Sequence, residues 1–280
     1  MKKTVLITGA NTGIGAATAE QLARLDFRVF FACRSEVKTR PVMQAIAAAT
    51  KNDDLHFLEL ALDDLASARR CADAFLAKNE PLHVLLLNAG LVRVEGVTKQ
   101  GFEPSFGVNH LGHFLLTRLL EPALKAGAPS RVVTVASRAH ERVKRPLDES
   151  ALRGPSRSRS GWSEYQDSKL ANVLFTKELA RRWAGTGITA YSLHPGVIAS
   201  DLWRSAPWPL RALMTSLMNS PEEGSVASVR CATAPASELE NGGYFGDRGE
   251  PRAVGPLADD VGAAKRLWDL SDEWTAGFRR

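Results

Sequence analysis

The sequence predicts a single doubly wound α/β domain over residues 1–280: a parallel sheet of about seven strands with helices on both faces. Three observations carry this. Six short runs rich in Val, Leu and Ile, at residues 4–8, 28–33, 55–60, 84–87, 131–136 and 188–193, are apolar on both faces, as strands buried on both sides are. Longer amphipathic stretches near 13–25, 40–51, 64–79, 103–126 and 163–184 separate them, and such alternation argues a parallel sheet covered by helices. A glycine cluster lies between the first run and the first helix.

Composition narrows the function classes. The 280 residues are 44% hydrophobic and 24% charged, which excludes bulk disorder. The net charge of +5 is mild, and no dense basic helix is present, so nucleic acid is not an expected partner. Three scattered cysteines (Cys33, Cys71, Cys231) give neither a disulfide framework nor zinc spacing, so no metal is expected and a cytoplasmic location fits. The apolar run after Met1-Lys2-Lys3 is too short for a signal peptide, and no stretch is long enough to span a membrane.

Two segments break the rhythm and are read as excursions from one domain. Residues 138–161 carry seven basic side chains among Gly, Pro and Ser; they read as a solvated, flexible loop at the site rim, with attraction of an anionic substrate as the alternative. Residues 197–222, rich in Trp, Pro and Met, read as a substrate lid, with an oligomer contact as the alternative.

The glycine cluster is Thr8-Gly9-Ala10-Asn11-Thr12-Gly13-Ile14-Gly15. Glycines permit a tight turn and close backbone approach, and the N–H groups of a helix N-terminus favour a pyrophosphate. The expected ligand is a dinucleotide held by Gly9, Asn11, Thr12, Gly13, Ile14 and Gly15. The second strand ends at Cys33-Arg34 with no carboxylate for a ribose hydroxyl. Arg34 suits a 2′-phosphate, so NADP(H) is expected over NAD(H).

Tyr165 and Lys169 stand four apart on one helix face. A fixed cation beside a phenol favours phenolate and is expected to lower its pKa from about 10, making the pair a candidate general acid/base. Asn88-Ala89-Gly90, Asn109-His110-Leu111-Gly112-His113, Ser137 and His194-Pro195-Gly196-Val197 follow in order at strand ends or in a helix. Together these motifs resemble the short-chain dehydrogenase/reductase family along essentially the whole chain, on a Rossmann-type sheet. The glycine cluster, Ala32-Cys33-Arg34 and Ser168-Lys169-Leu170-Ala171-Asn172 look like the retinol-dehydrogenase-like and WW-domain-oxidoreductase-like members.

The resemblance implies Tyr165 as proton donor or base, Lys169 as its cationic partner, Ser137 as a hydrogen-bond donor to the substrate oxygen, and Asn109 at a helix kink serving a proton relay. It places Asn88, Ala89 and Gly90 along the cofactor ribose, Pro195, Gly196 and Val197 by the nicotinamide, and Ser200 near its carboxamide. The implied activity is hydride transfer between NADP(H) and a small-molecule carbonyl or alcohol, with apolar or polycyclic molecules among the candidates. A homo-oligomer through the helices at 103–126 and 163–184 is likewise implied. The chain departs from the pattern at Ala61, where the family commonly has an adenine-contacting Asp; Asp63 or the backbone of Leu62 would replace it. His110 and His113 lack a third ligand at metal spacing and read as packing residues, as does His194. The alternative to an enzyme is a non-catalytic dinucleotide-binding regulator on the same fold, against which Asn109, Ser137, Tyr165 and Lys169 all argue.

Overall fold

The computed structural model describes residues 2–92, 94–196 and 220–279. The lid expected at 197–222 therefore lies almost wholly outside the described residues, as do Val197 and Ser200. Seven strands form one parallel sheet: β1 (Thr4–Thr8), β2 (Arg28–Cys33), β3 (Leu55–Glu59), β4 (Val84–Leu87), β5 (Ser130–Val135), β6 (Ile188–Leu193) and β7 (Tyr244–Phe245). Their order is β3-β2-β1-β4-β5-β6-β7. β1 pairs with β2 on one side and β4 on the other, so the order reverses there, where open parallel sheets place ligand crevices.

Helices α1 (Gly13–Arg24), α2 (Glu36–Thr50) and α7 (Pro221–Thr233) cover one face. The other face carries α3 (Leu65–Leu76), α4, α6 (Trp162–Arg182) and α8 (Val261–Thr275). Here α4 is composite: an α turn Pro104–Phe106, a π-helical turn Gly107–Leu111 and an α segment Gly112–Leu119, with α5 (Glu121–Ala126) following. Strand periodicity explains both cores. Leu6, Phe30 and Leu85 enter the α4/α6 side, whereas Ile7, Phe31 and Leu86 enter the α1 side.

Some elements differ from the sequence reading. α2 starts at Glu36, before Pro41, because Ser35 caps it by accepting from the Lys38 N–H at 3.3 Å. The helix expected over 103–126 is broken by the π turn and again at Leu120. Gly112 lies so near strand β3's exit that a Cβ there would be 2.6 Å from the Leu62 carbonyl oxygen. α7, with a capping box between Ser220 and Glu223, and α8, capped by Asp260, were not assigned from sequence.

α8 packs against α4 and α6. Trp268 packs edge-on to Phe114 (5.0 Å between centroids) and stacks on Phe175 at 6.0 Å. Trp274 lies 5.3 Å from Phe102, and Ser271 Oγ is 2.9 Å from His110 Nε2. The residues of α4 and α6 that meet α8 are thus covered by the chain's own helix. Trp268 is almost fully buried, so Trp268→Ala is expected to cost about 3–5 kcal/mol of unfolding free energy in a urea titration. A change under about 1 kcal/mol would show that α8 does not close this face.

Candidate active site

The glycine turn leaves β1 and opens α1. Gly13 sits at φ +54°, a left-handed conformation that suits glycine, and Thr12 forms the extended N-cap. A Cβ on Gly15 would press on the Gly9 carbonyl oxygen and stand 2.5 Å from Asn88 Nδ2. Among the described residues no side chain caps the first turn of α1, so its N–H groups form the cradle expected of a pyrophosphate site. The donor set fits a dinucleotide phosphate.

Asn88 ties this turn to β4: its Nδ2 donates to the Thr8 carbonyl at 2.9 Å. Thr8 Oγ1 accepts the N–H groups of Asn88 (2.9 Å) and Ala89 (3.0 Å). Thr8 was not singled out from sequence; its position at the end of β1, just before the first glycine, was the available signal. Arg34 stands exposed at the end of β2, next to the α2 N-terminus, and makes no ion pair among the described residues. In the turn after β3, Asp64 caps α3 through the Ala66 N–H (2.9 Å) and pairs with Lys99 (2.8 Å). The Asp63 carboxylate makes no ion pair among the described residues, while the Leu62 carbonyl packs toward Gly112.

Asn109 and Lys169 converge beside Gly90, with the Tyr165 ring next to Lys169 and Ser137 acting on Tyr165. A Cβ at Gly90 would lie 3.4 Å from Asn109 Oδ1 and 3.6 Å from Lys169 Nζ. The Asn109 amide donates to the Leu91 carbonyl and to Ser168 Oγ, both at 3.0 Å, and accepts the Leu91 N–H at 2.8 Å. Lys169 Nζ donates to the Val135 carbonyl at 2.9 Å and lies 5.5 Å from the Tyr165 ring centroid. The Ser137 side chain acts on the Tyr165 phenol, and the Ser137 carbonyl accepts from His140 Nδ1–H at 2.7 Å. His140 also takes the Gly255 N–H on Nε2, at 3.3 Å. This histidine, three residues after Ser137, was missed from sequence.

Electrostatics correct one expectation. Lys169 was expected to lower the Tyr165 phenol. Burial instead pushes the phenol up, and the group acting downward is Ser137. Burial likewise lowers the Lys169 ammonium to about 8, and no carboxylate pairs with it among the described residues. His110 and His113 are held neutral by burial, down to about 3 and about 4. Each ring is hydrogen-bonded to protein groups: His110 to Ser271, and His113 to Thr8 and Asn109. Burial also takes His194 down to about 4, so it is neutral near pH 7. Pro195 and Gly196 follow it at the end of β6.

The basic excursion is tied down rather than loose. Arg145 pairs with Asp167 of α6 at 3.3 Å, and Ser156 Oγ donates to Glu103 at 2.8 Å. Arg153 lies over the rings of Phe102 (4.4 Å) and Trp274 (5.2 Å), and the Glu103 N–H donates to the Leu152 carbonyl at 3.0 Å. A cavity of about 240 Å³ remains between it and α6, lined by Glu103, Arg145, Glu164 and Asp167 among others.

Comparison with known proteins agrees with this geometry. The sequence model of the short chain dehydrogenase family matches residues 3–147. Retinol dehydrogenase 12 of Homo sapiens is 44% identical over 274 residues, 97% of this chain and 85% of that protein. Retinol dehydrogenase 11 of Homo sapiens is 42% identical over 272 residues, 96% and 84% respectively. A crystal structure of an uncharacterized protein from Mycobacterium Paratuberculosis superposes with a TM-score of 0.78 at 36% identity, covering 98% of this chain and 93% of that one. The chain belongs to the short-chain dehydrogenase/reductase family of oxidoreductases. Within that family it is retinol-dehydrogenase-like. No helix among the described residues is long and apolar enough to cross a membrane.

Asp167, two residues from Tyr165, yields a pH prediction. Burial raises its carboxyl to about 6; Arg145 opposes this, while Glu164 and Glu103 add to it. A carboxyl raised on folding binds its proton more tightly in the native state, so its ionisation costs stability as pH rises from about 4 through 6. Asp167→Asn removes that cost. It is expected to stabilise the protein by about 1–3 kcal/mol at pH 8 and by nothing measurable at pH 4, read from urea titrations at both. Destabilisation at pH 8 would mean that the Arg145 pair outweighs desolvation.

Proposed function

We propose that this chain is an NADP(H)-dependent reductase and dehydrogenase acting on a carbonyl/alcohol pair of an apolar small molecule, with Tyr165 as general acid/base. The reading is carried by Asn109 and Lys169 meeting at Gly90, with Tyr165 beside Lys169 and Ser137 acting on Tyr165. A nicotinamide dinucleotide held by Gly9, Asn11, Thr12, Gly13, Ile14, Gly15, Asn88, Ala89, Pro195 and Gly196 would supply the hydride. The substrate oxygen accepts hydrogen bonds from Ser137 and Tyr165. Tyr165 passes its phenolic proton to that oxygen as negative charge grows there, so charge is compensated in the transition state. A raised phenol remains protonated at neutral pH and is suited to donation in the reductive direction. The Lys169 ammonium stabilises the phenolate left behind. Asn109 fixes Leu91 and Ser168, and with them the spacing of the Gly90 turn from α6.

The relatives are named retinol dehydrogenases, so retinol and its aldehyde are the first molecules to try.

Tyr165→Phe tests the chemistry. It is expected to lower kcat for aldehyde reduction by about 10²–10⁴-fold while leaving the NADPH dissociation constant unchanged. Turnover retained by the variant would end the role of Tyr165. A wild-type protein that binds NADPH but reduces nothing in a broad carbonyl panel would favour a regulator.

Arg34→Glu tests the cofactor. The ratio of kcat/KM with NADPH to that with NADH is expected to fall by about 10–100-fold, the scale of one charge-assisted hydrogen-bonded contact. An unchanged ratio would place the 2′-phosphate elsewhere.

A further inference from the structure

His113 is fully buried in α4, and neither nitrogen of its ring is idle. Nδ1 lies 3.1 Å from the carbonyl oxygen of Asn109, in the π turn. Nε2 lies 2.9 Å from Thr8 Oγ1, at the end of β1. The tautomer follows from the partners. A carbonyl only accepts, so Nδ1 carries the proton and Nε2 is the acceptor. Thr8 then donates its one proton to Nε2, the Leu86 carbonyl being a longer alternative at 3.5 Å. The two lone pairs of Thr8 Oγ1 take the Asn88 and Ala89 N–H groups. Every donor and acceptor in this chain is used once. A doubly protonated ring would aim a second donor at an oxygen that already accepts twice.

The geometry points to His113 as a positioning residue that joins the cofactor turn to the proton-transfer centre. One end of the bridge fixes Thr8, and through it the Asn88-Ala89 turn packed against the glycine cradle. The other end fixes the carbonyl of Asn109, whose side chain spans Leu91 and Ser168, the residue preceding Lys169. The sequence shows only a histidine four residues beyond Asn109. That it also reaches β1 is a product of the fold. This inference rests on the proposed oxidoreductase reading for its effect on turnover, but not for its effects on cofactor binding and tautomer.

Three substitutions separate the two ends. His113→Asn places an amide N–H near the Nδ1 position and gives up the Thr8 contact. His113→Gln places an acceptor near the Nε2 position and gives up the Asn109 contact. His113→Phe keeps the ring and gives up both. Loss of one hydrogen-bonded end is expected to produce about a tenfold change. His113→Asn weakens NADPH binding, read by NADPH fluorescence titration, with little change in kcat. His113→Gln lowers kcat for aldehyde reduction and leaves NADPH binding unchanged. His113→Phe does both. In the wild-type protein, ¹⁵N histidine spectra are expected to show Nδ1 protonated and Nε2 bare from pH 6 to 9. A protonated Nε2 overturns the bridge. So do variants whose NADPH affinity and kcat fall together in proportion to lost thermal stability. If the wild type reduces no carbonyl, the function reading fails, and the tautomer and NADPH titrations still decide the bridge.

Discussion

A parallel sheet buried on both faces leaves little room for polar chemistry within it, and this constraint shapes the molecule. The side chains of β1, β2, β4 and β5 are almost wholly buried in two apolar layers. Polar groups therefore gather where the strands end. Thr8, Cys33, Asn88, Ser137 and His194 all stand at or just past a carboxyl edge. Because β1 is flanked by β2 and β4, the edges of these strands part around the glycine turn. The same parting gives a dinucleotide its crevice and brings α4 and α6 against the turn that follows β4. Site geometry is thus a consequence of how the sheet is buried.

The site spends stability at Lys169. Its ammonium, buried on α6, donates to one backbone carbonyl at 2.9 Å and meets no carboxylate among the described residues, and burial lowers its pKa. Tyr165 is shifted in the opposite sense, since burial disfavours its anion. Surrounding side chains hold them in place: Ser137 by Tyr165, Asn172 near the same Val135 carbonyl, and Asn109 across the gap to Ser168.

Local signals in the sequence survive into the structure, and tertiary ones do not appear there. The six long strands and the glycine turn are legible because burial on both faces and left-handed turns impose residue types at each position. Asn109, Ser137, Tyr165 and Lys169 are legible as motifs in order. The break at Asn109 is foreshadowed by the family resemblance, and the structure gives it the form of a π turn over Gly107–Leu111. β7, two residues long, has too little pattern to see, and it is recognised only by its pairing with Ser192 and Leu193. α8 carried an N-cap in Asp260, yet its consequence, the covering of α4 and α6, depends on where Trp268 lands. The sign of the Tyr165 shift belongs to this class too, since spacing along a helix reveals the cation but not the depth of burial.

Charge shows the same limit most clearly. Seven basic residues between 138 and 161 look like an anion-attracting rim when read as a string. In the structure, Arg138 faces Glu141 at 3.9 Å, Arg145 pairs with Asp167, Arg157 pairs with Asp148, and Arg153 lies over two aromatic rings. Most of that charge is engaged within the chain: Arg145 fastens the excursion to α6, and Arg153 fastens it to Phe102 and to Trp274 of α8. Arg34 belongs to no cluster and draws no notice by density, yet it stands exposed and unpaired among the described residues at the edge of the glycine turn. Electrostatic attraction for a phosphate depends on charge left uncompensated where the ligand lies, not on charge counted along the sequence. By that measure the single arginine after β2, rather than the basic segment before Tyr165, keeps an uncompensated charge at the edge of the glycine turn.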